Sequence, residues 1–300
     1  MATCQGERFL PQQLQSIVAQ AHPHWRLFVS DDASRDATTE LLAAQRREWG
    51  SDRLVTFGGP SRGHHENFRS LLGRAEIDAD LFAYADQDDV WEPDKLERAV
   101  RWMVDRPCSV PLLYCSRTRL IDADDRVIGS SPLFRRPPSF ANALVQSLAG
   151  GNTMVFNRAA RTLLREALPA SARVVTHDWW TYLLVTGAGG DVHYDPEPSV
   201  RYRQHGDNIV GANSGVRNRV RSTWHVARGR LKRWNDSHID ALARVGHLLT
   251  PESRATLAQF SDARRAPLFE RLAALKRSGV YGQRVRGDAA LFLAAAFNRV

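Results

Sequence analysis

The chain has 300 residues, enough for one large α/β domain or two smaller ones with a full core. Its 43% apolar and 25% charged residues are those of a soluble globular protein, and no run reaches the roughly 18 apolar residues of a membrane-spanning helix. Cys4, Cys108 and Cys115 are too few and too scattered for a disulfide framework or a metal cluster. With no basic-then-apolar signal peptide at the start, a cytoplasmic protein is expected. The net charge of +8 is uneven: residues 213–300 hold 17 Lys and Arg against 6 Asp and Glu, and residues 1–212 hold 24 against 27. A faintly acidic body with a basic tail suggests chemistry in the first and docking to an anionic surface by the second.

Phe9–Ala19 reads as an amphipathic helix with Pro11 near its start. Trp25–Ser30 is a strand ending at Asp31-Asp32, after which Ser34 or Asp36 can cap a helix reaching about Trp49, with Leu41 and Leu42 on its buried face. Leu54–Phe57 is a second strand, Asn67–Ala75 a short helix, and Asp80–Ala85 a strand that stops at a run of carboxylates. Asp94–Val104 follows as a helix, with Leu96, Val100 and Met103 at helical spacing. Strands are expected at Leu112–Leu120 and Thr153–Phe156, helices at Phe140–Leu148, Ala159–Ala167 and Asp178–Thr186, and an extended Val200–Arg203; after Gly215 the chain reads as basic helix. The β-α-β-α rhythm implies a Rossmann-like α/β fold with a mainly parallel central sheet flanked by helices. Ligands of such sheets gather beyond the carboxyl ends of the strands. Both carboxylate groups fall there.

Asp86-Gln87-Asp88-Asp89 puts three carboxylates in four residues, which repel unless a cation or solvent intervenes. Such a group suits Mg²⁺ or Mn²⁺, which can also take phosphate oxygens; the alternative is a solvated acidic turn capping the next helix. Asp31 and Asp32 could accept hydrogen bonds from a base or ribose, or could simply be turn residues. His177-Asp178-Trp179-Trp180 sets a carboxylate beside two rings that either stack on a sugar or fill the core. Arg201 and Arg203, with His205, could meet phosphate and metal, or could belong to an exposed edge strand.

These pieces, in this order, resemble the motifs of family 2 glycosyltransferases, and among them a bacterial rhamnosyltransferase-like branch. The motifs are Thr3-Cys4-Gln5-Gly6-Glu7, Ser30-Asp31-Asp32-Ala33-Ser34-Arg35-Asp36, Asn67-Phe68, Asp86-Gln87-Asp88-Asp89-Val90-Trp91 and Pro93-Asp94-Lys95-Leu96. Gly150-Gly151-Asn152-Thr153-Met154, His177-Asp178-Trp179-Trp180 and Tyr202-Arg203-Gln204-His205 continue the match, which covers roughly residues 1–212.

The resemblance implies a GT-A fold: a catalytic domain over 1–212, with a nucleotide-binding half (1–105) and an acceptor half (106–212), and a basic helical extension over 213–300. It further implies inverting transfer of L-rhamnose or another hexose from a UDP- or dTDP-linked donor to a glycan or lipid-linked glycan of the bacterial surface. Thr3, Glu7, Asp31, Asp32 and Asp86 would bind the nucleotide, Asp88 and His205 the metal, and Arg201 and Arg203 the diphosphate. Asp89, Gly151, Asn152, Trp179 and Trp180 would line the sugars, and Asp178 would be the catalytic base. The chain departs from the family at its start, where Met1 stands in place of an apolar first strand: either the start is misassigned or the first strand is clipped, which would weaken the sheet and the nucleoside pocket. Cys4-Gln5 replace Tyr-Asn, and Ala33 replaces a glycine, so a left-handed conformation is not expected at Ala33.

Arg217–Trp234 interleaves seven Lys and Arg with Val220, Trp224, Val226, Leu231 and Trp234, a pattern suited either to the inner face of an anionic membrane or to a solvated helix on the catalytic domain. Two other functions fit parts of the chain. A sugar-phosphate nucleotidyltransferase would need a phosphate loop that Gln5-Gly6-Glu7-Arg8 imitates poorly. Nucleic-acid binding through the tail conflicts with the acidic body, and no nucleic-acid partner is expected.

Overall fold

The computed structural model describes residues 1–205 and 230–300. Three strands, β1 (Ala2–Thr3), β2 (Leu27–Asp31) and β3 (Leu54–Gly58), pair in parallel in the order β1-β2-β3. The second sheet runs β4 (Leu81–Ala83), β8 (Val155–Asn157), β6 (Leu112–Ile121), β9 (Asp191–Arg203) and β5 (Val90–Trp91), with β7 (Val127–Ser130) beside β6. The Ala2 N–H donates to the Ala85 carbonyl at 3.3 Å, so β1 joins the two sheets.

Of the mainly parallel sheet expected, the parallel pairing lies in the first sheet and at β6–β9, while β4–β8, β6–β8, β6–β7 and β5–β9 are antiparallel. The reason is local for β6 and β7, which are joined by only five residues and therefore form a hairpin. A crossover through three helices carries the chain from β6 to its parallel neighbour β9.

The α-helices of residues 1–205 are α1 (Leu10–Val18), α2 (Thr38–Trp49), α3 (His64–Gly73), α4 (Lys95–Met103), α5 (Phe140–Ala143), α6 (Arg158–Glu166) and α7 (His177–Gly187). Helix α5 is a single turn, shorter than the expected Phe140–Leu148. In α7 every residue from Trp179 to Val185 is buried, the outcome of an apolar sequence with no polar face to turn outward. Two of its polar groups find partners inside: Trp179 Nε1 donates to the Ala143 carbonyl at 2.7 Å, and the Tyr182 hydroxyl donates to Asn142 Oδ1 at 2.9 Å.

Residues 230–300 form α8 (Arg230–Arg244), α9 (Pro251–Arg265), α10 (Leu268–Arg277) and α11 (Val285–Ala296). They share one hydrophobic cluster with the preceding elements: Ala241, Leu242, Val245 and Phe260 belong with Trp179, Trp180, Leu183 and Phe156. Of the basic amphipathic stretch, residues 217–229 lie outside the described residues. In the part that is described, Leu231 and Trp234 pack toward the core, Trp234 meeting Trp179 edge-on at 5.8 Å. No helix among the described residues is long and apolar enough to cross a membrane.

Candidate active site

The end of β2 and the start of α2 form a tightly wired turn. Asp31 accepts three hydrogen bonds, from the Thr3 hydroxyl (2.9 Å), the Ser34 N–H (2.9 Å) and the Ser34 hydroxyl (2.6 Å). This turn bends the backbone at Ala33 into the left-handed region, φ 62°, against the expectation from its Cβ. Gln5, φ 51°, braces it: its side-chain oxygen accepts the Arg35 N–H at 2.7 Å, and its own N–H donates to Ser34 Oγ at 2.8 Å. Glu7 accepts the Ala37 N–H at 2.9 Å at the start of α2. Asp32 is buried and holds the next loop, accepting the Ser61 N–H at 2.5 Å and the Gly63 N–H at 2.8 Å. Thr3, Glu7, Asp31 and Asp32 are thus gathered at the carboxyl ends of β1 and β2, each already bonded to neighbouring loop or strand atoms. A carboxylate offers about four acceptor directions, so Asp31 and Asp32 retain capacity for a ligand.

The loop between β4 and β5 carries the other carboxylates. Asp86 is fixed twice: its backbone carbonyl accepts Gln13 Nε2 at 2.9 Å, and its Oδ1 lies 3.1 Å from His64 Nε2. Burial works to raise the Asp86 carboxyl, but the bond and charge of His64 prevail and hold it below the ordinary value. Asp88 Oδ2 lies 2.8 Å from His205 Nε2, so the two expected metal ligands are adjacent. Burial, then the Asp86 charge, push the Asp88 carboxyl up despite His205. Among the described residues, no three His, Cys, Asp or Glu side chains are grouped to hold a metal ion.

Asp178 is the second residue of α7. Its Oδ2 accepts the Gly151 N–H at 3.1 Å and its Oδ1 the Trp179 N–H at 2.7 Å. Gly151 permits that approach: a Cβ there would stand 2.5 Å from His177 Nε2 and 3.3 Å from the Asp178 Cβ. His177 is itself buried between Phe68 (stacked, 4.0 Å) and Tyr84 (edge-on, 4.7 Å), and burial lowers its pKa to about 4.

His64, the first residue of α3, was not among the expected site residues, yet it links the two ends. It bonds Asp86, lies 5.2 Å from the His177 ring, and feels the charges of Asp86, Asp178 and Asp88 together. Burial works to lower its pKa; the Asp86 bond and those three charges outweigh it, and the imidazole is more basic than usual. The available signal was two consecutive histidines directly after a glycine at a helix start.

Six expected residues are used otherwise. Trp179 and Trp180 are buried in the core and offer no face to a sugar. Asp89 and Asn152 lie beneath the site: Asn152 Nδ2 donates to Asp89 Oδ2 at 2.5 Å, and the Arg203 N–H to Asp89 Oδ1 at 3.2 Å. Burial, then Asp88 and Asp86, push the Asp89 carboxyl well above its ordinary value. Arg203 is 1% exposed and donates to the carbonyls of Asp88, Asp122 and Ala123 and to Gln12 Oε1, so its guanidinium pins loops together instead of meeting a diphosphate. Arg201, partly exposed, pairs with Asp125 at 3.0 Å.

The buried web includes one further unexpected residue. Lys95 Nζ donates to the Asn152 carbonyl at 2.5 Å and lies 3.5 Å over the Trp91 ring. Burial brings its pKa down to about 7.

A hydrogen-bonded turn after β2, a carboxylate–histidine pair in the loop after β4 and a carboxylate at the start of α7 make up the candidate site. The sequence model of glycosyl transferase family 2 matches residues 1–168. The chain belongs to that family. It is a glycosyltransferase that uses nucleotide sugars, and the nucleotidyltransferase alternative gives way. The chain is 26% identical over 247 residues to the dTDP-rhamnosyl transferase RfbG of Shigella flexneri, covering 75% of this chain and 80% of RfbG. It is 31% identical over 102 residues to the putative teichuronic acid biosynthesis glycosyltransferase TuaG of Bacillus subtilis, covering 34% of this chain and 39% of TuaG. Its fold is similar to that of S. aureus TarS 1–349, solved in complex with UDP-GlcNAc, with a TM-score of 0.52 at 12% identity over 93% of this chain and 91% of that one. That is the GT-A fold.

Proposed function

We propose that the enzyme inverts the anomeric centre while transferring L-rhamnose from dTDP-L-rhamnose to a hydroxyl of a bacterial surface glycan, free or lipid-linked. The observation that supports the reading is His64, which bonds Asp86 at 3.1 Å and whose ring lies 5.2 Å from that of His177, the neighbour of Asp178, so that the carboxylates read as the diphosphate end and the base end lie on either side of one imidazole. RfbG's use of a dTDP-rhamnose donor supports the sugar, and TuaG's association with teichuronic acid supports a surface-glycan acceptor.

In this reading, Thr3, Glu7, Asp31 and Asp32 surround the nucleoside and Asp86 meets the nucleotide's sugar. Asp88 and His205 would hold Mg²⁺ or Mn²⁺. Their carboxylate and imidazole suit such an ion when diphosphate oxygens and water supply its other positions. When bound, the ion neutralises charge gathering on the departing diphosphate. Asp178 takes the proton of the acceptor hydroxyl as that oxygen approaches the anomeric carbon from the face opposite the diphosphate. The Gly151 and Trp179 N–H groups fix its orientation. A single displacement of this kind needs one basic carboxylate, where a glycosidase needs two.

Two variants test the division of labour. Asp88→Ala should abolish both transfer and Mn²⁺-dependent donor binding. Asp178→Asn should leave dTDP-sugar binding intact while lowering kcat by about a thousandfold, within the usual span for a general base. Near-normal turnover in Asp178→Asn would remove the base from the scheme. A panel of dTDP-, UDP- and GDP-sugars with Mn²⁺, followed by thermal shift, identifies the donor, because binding to the folded state raises Tm.

A further inference from the structure

His64 stands where the two ends of the site meet, and its surroundings constrain it closely. As the first residue of α3 it follows Gly63, which has a φ of 87° and whose N–H is held by Asp32. Its ring packs edge-on against Phe68, one turn further along the helix, at 4.9 Å, and tilts over His177 at 5.2 Å. These contacts leave the side chain 36% exposed, with Nε2 at 3.1 Å from Asp86 Oδ1. The Asp86 backbone is meanwhile fixed from the opposite direction by Gln13 of α1. The remaining freedom of Asp86 is rotation of its carboxylate, and the His64 bond removes it.

We propose that His64 is a positioning residue for donor binding: by orienting the Asp86 carboxylate it sets the affinity for the nucleotide while leaving the bond-making step to other groups. The inference rests on the reading of Asp86 as a nucleotide contact. A carboxylate already locked in its binding orientation loses no rotamer freedom when the ligand arrives, and affinity gained by such preorganisation disappears when the lock is removed. The effect belongs to the His64–Asp86 pair, so it must vanish when either member is absent.

The test is a double-mutant cycle with His64→Ala, Asp86→Ala and the double variant, together with His64→Gln, whose amide can still donate to Asp86. Affinity for dTDP and for UDP in MnCl₂ is measured by titration calorimetry, and folding is checked by Tm. His64→Ala is expected to weaken nucleotide binding at least tenfold, His64→Gln to recover most of that loss, and His64→Ala to add less than twofold in the Asp86→Ala background. Unchanged binding in His64→Ala while Asp86→Ala weakens it overturns the role of His64 alone. Unchanged binding in Asp86→Ala overturns the reading of Asp86, and the role of His64 with it. If His64→Ala does not fold, His64→Gln and His64→Asn carry the comparison: Gln must bind at least fivefold more tightly than Asn, and equal affinities overturn the proposal.

Discussion

His238 shows how a buried titratable side chain acquires a fixed protonation state. Its Nε2 accepts the Val175 N–H at 3.3 Å and its ring meets Trp179 edge-on at 4.6 Å, so a proton on Nε2 would both lose a bond and bury a charge. Burial brings its pKa down to about 4, from 6.5. A histidine whose folded pKa is depressed takes up its proton more readily when unfolded. Its contribution to stability is therefore complete above about pH 6.5 and is lost as pH falls toward 4. The full loss is on the order of 3 kcal/mol, from 1.36 kcal/mol per unit. Urea unfolding at pH 7 and pH 4.5 should show a fall in stability that His238→Gln makes shallower by about 2 kcal/mol; equal slopes would contradict the assignment. His177, with a pKa of about 4 from burial, pulls the same way.

At the scale of single elements, the turn from β2 to α2 stores strain at Ala33, whose exposed side chain stands at φ 62°. A Cβ in this region costs roughly 1–2 kcal/mol, partly returned on replacement by glycine because glycine loses more freedom on folding. Ala33→Gly should therefore raise stability by about 0.5–1 kcal/mol in denaturant titration, and a loss would mean the turn relaxes otherwise. The alternating elements of the first 105 residues were legible because apolar runs such as Trp25–Ser30 and Leu54–Phe57 end at turn residues. Asp31, Asp86, Asp88 and Asp178 were legible because they stand at strand or helix ends. Buried cations were not. Lys95 and Arg203 read by type as surface or ligand groups, and only the three-dimensional meeting of Asn152, Asp88 and Asp122 reveals their burial. Trp179 and Trp180 misled for a related reason: rings beside a carboxylate look the same in sequence whether they face a sugar or a core.

At the scale of the whole molecule, the cluster that joins α8 and α9 to α7 ties the helix bearing Asp178 to the C-terminal helices. The faintly acidic body and the basic tail apparent in sequence thus share a core. Arg203 extends this long-range wiring to the carboxylate loop. Its guanidinium gathers Gln12 of α1, Asp88, and the Asp122–Ala123 turn between β6 and β7, and the bond to Gln12 spans 191 residues of chain. Contacts so distant in sequence close late, because their loop entropy is offset only after nearer contacts exist. In refolding from urea, helical far-UV signal should therefore return before competence to bind nucleotide, a lag that simultaneous recovery would rule out. The loop that holds Asp86 and Asp88 is written early in the chain but takes its working shape among the last.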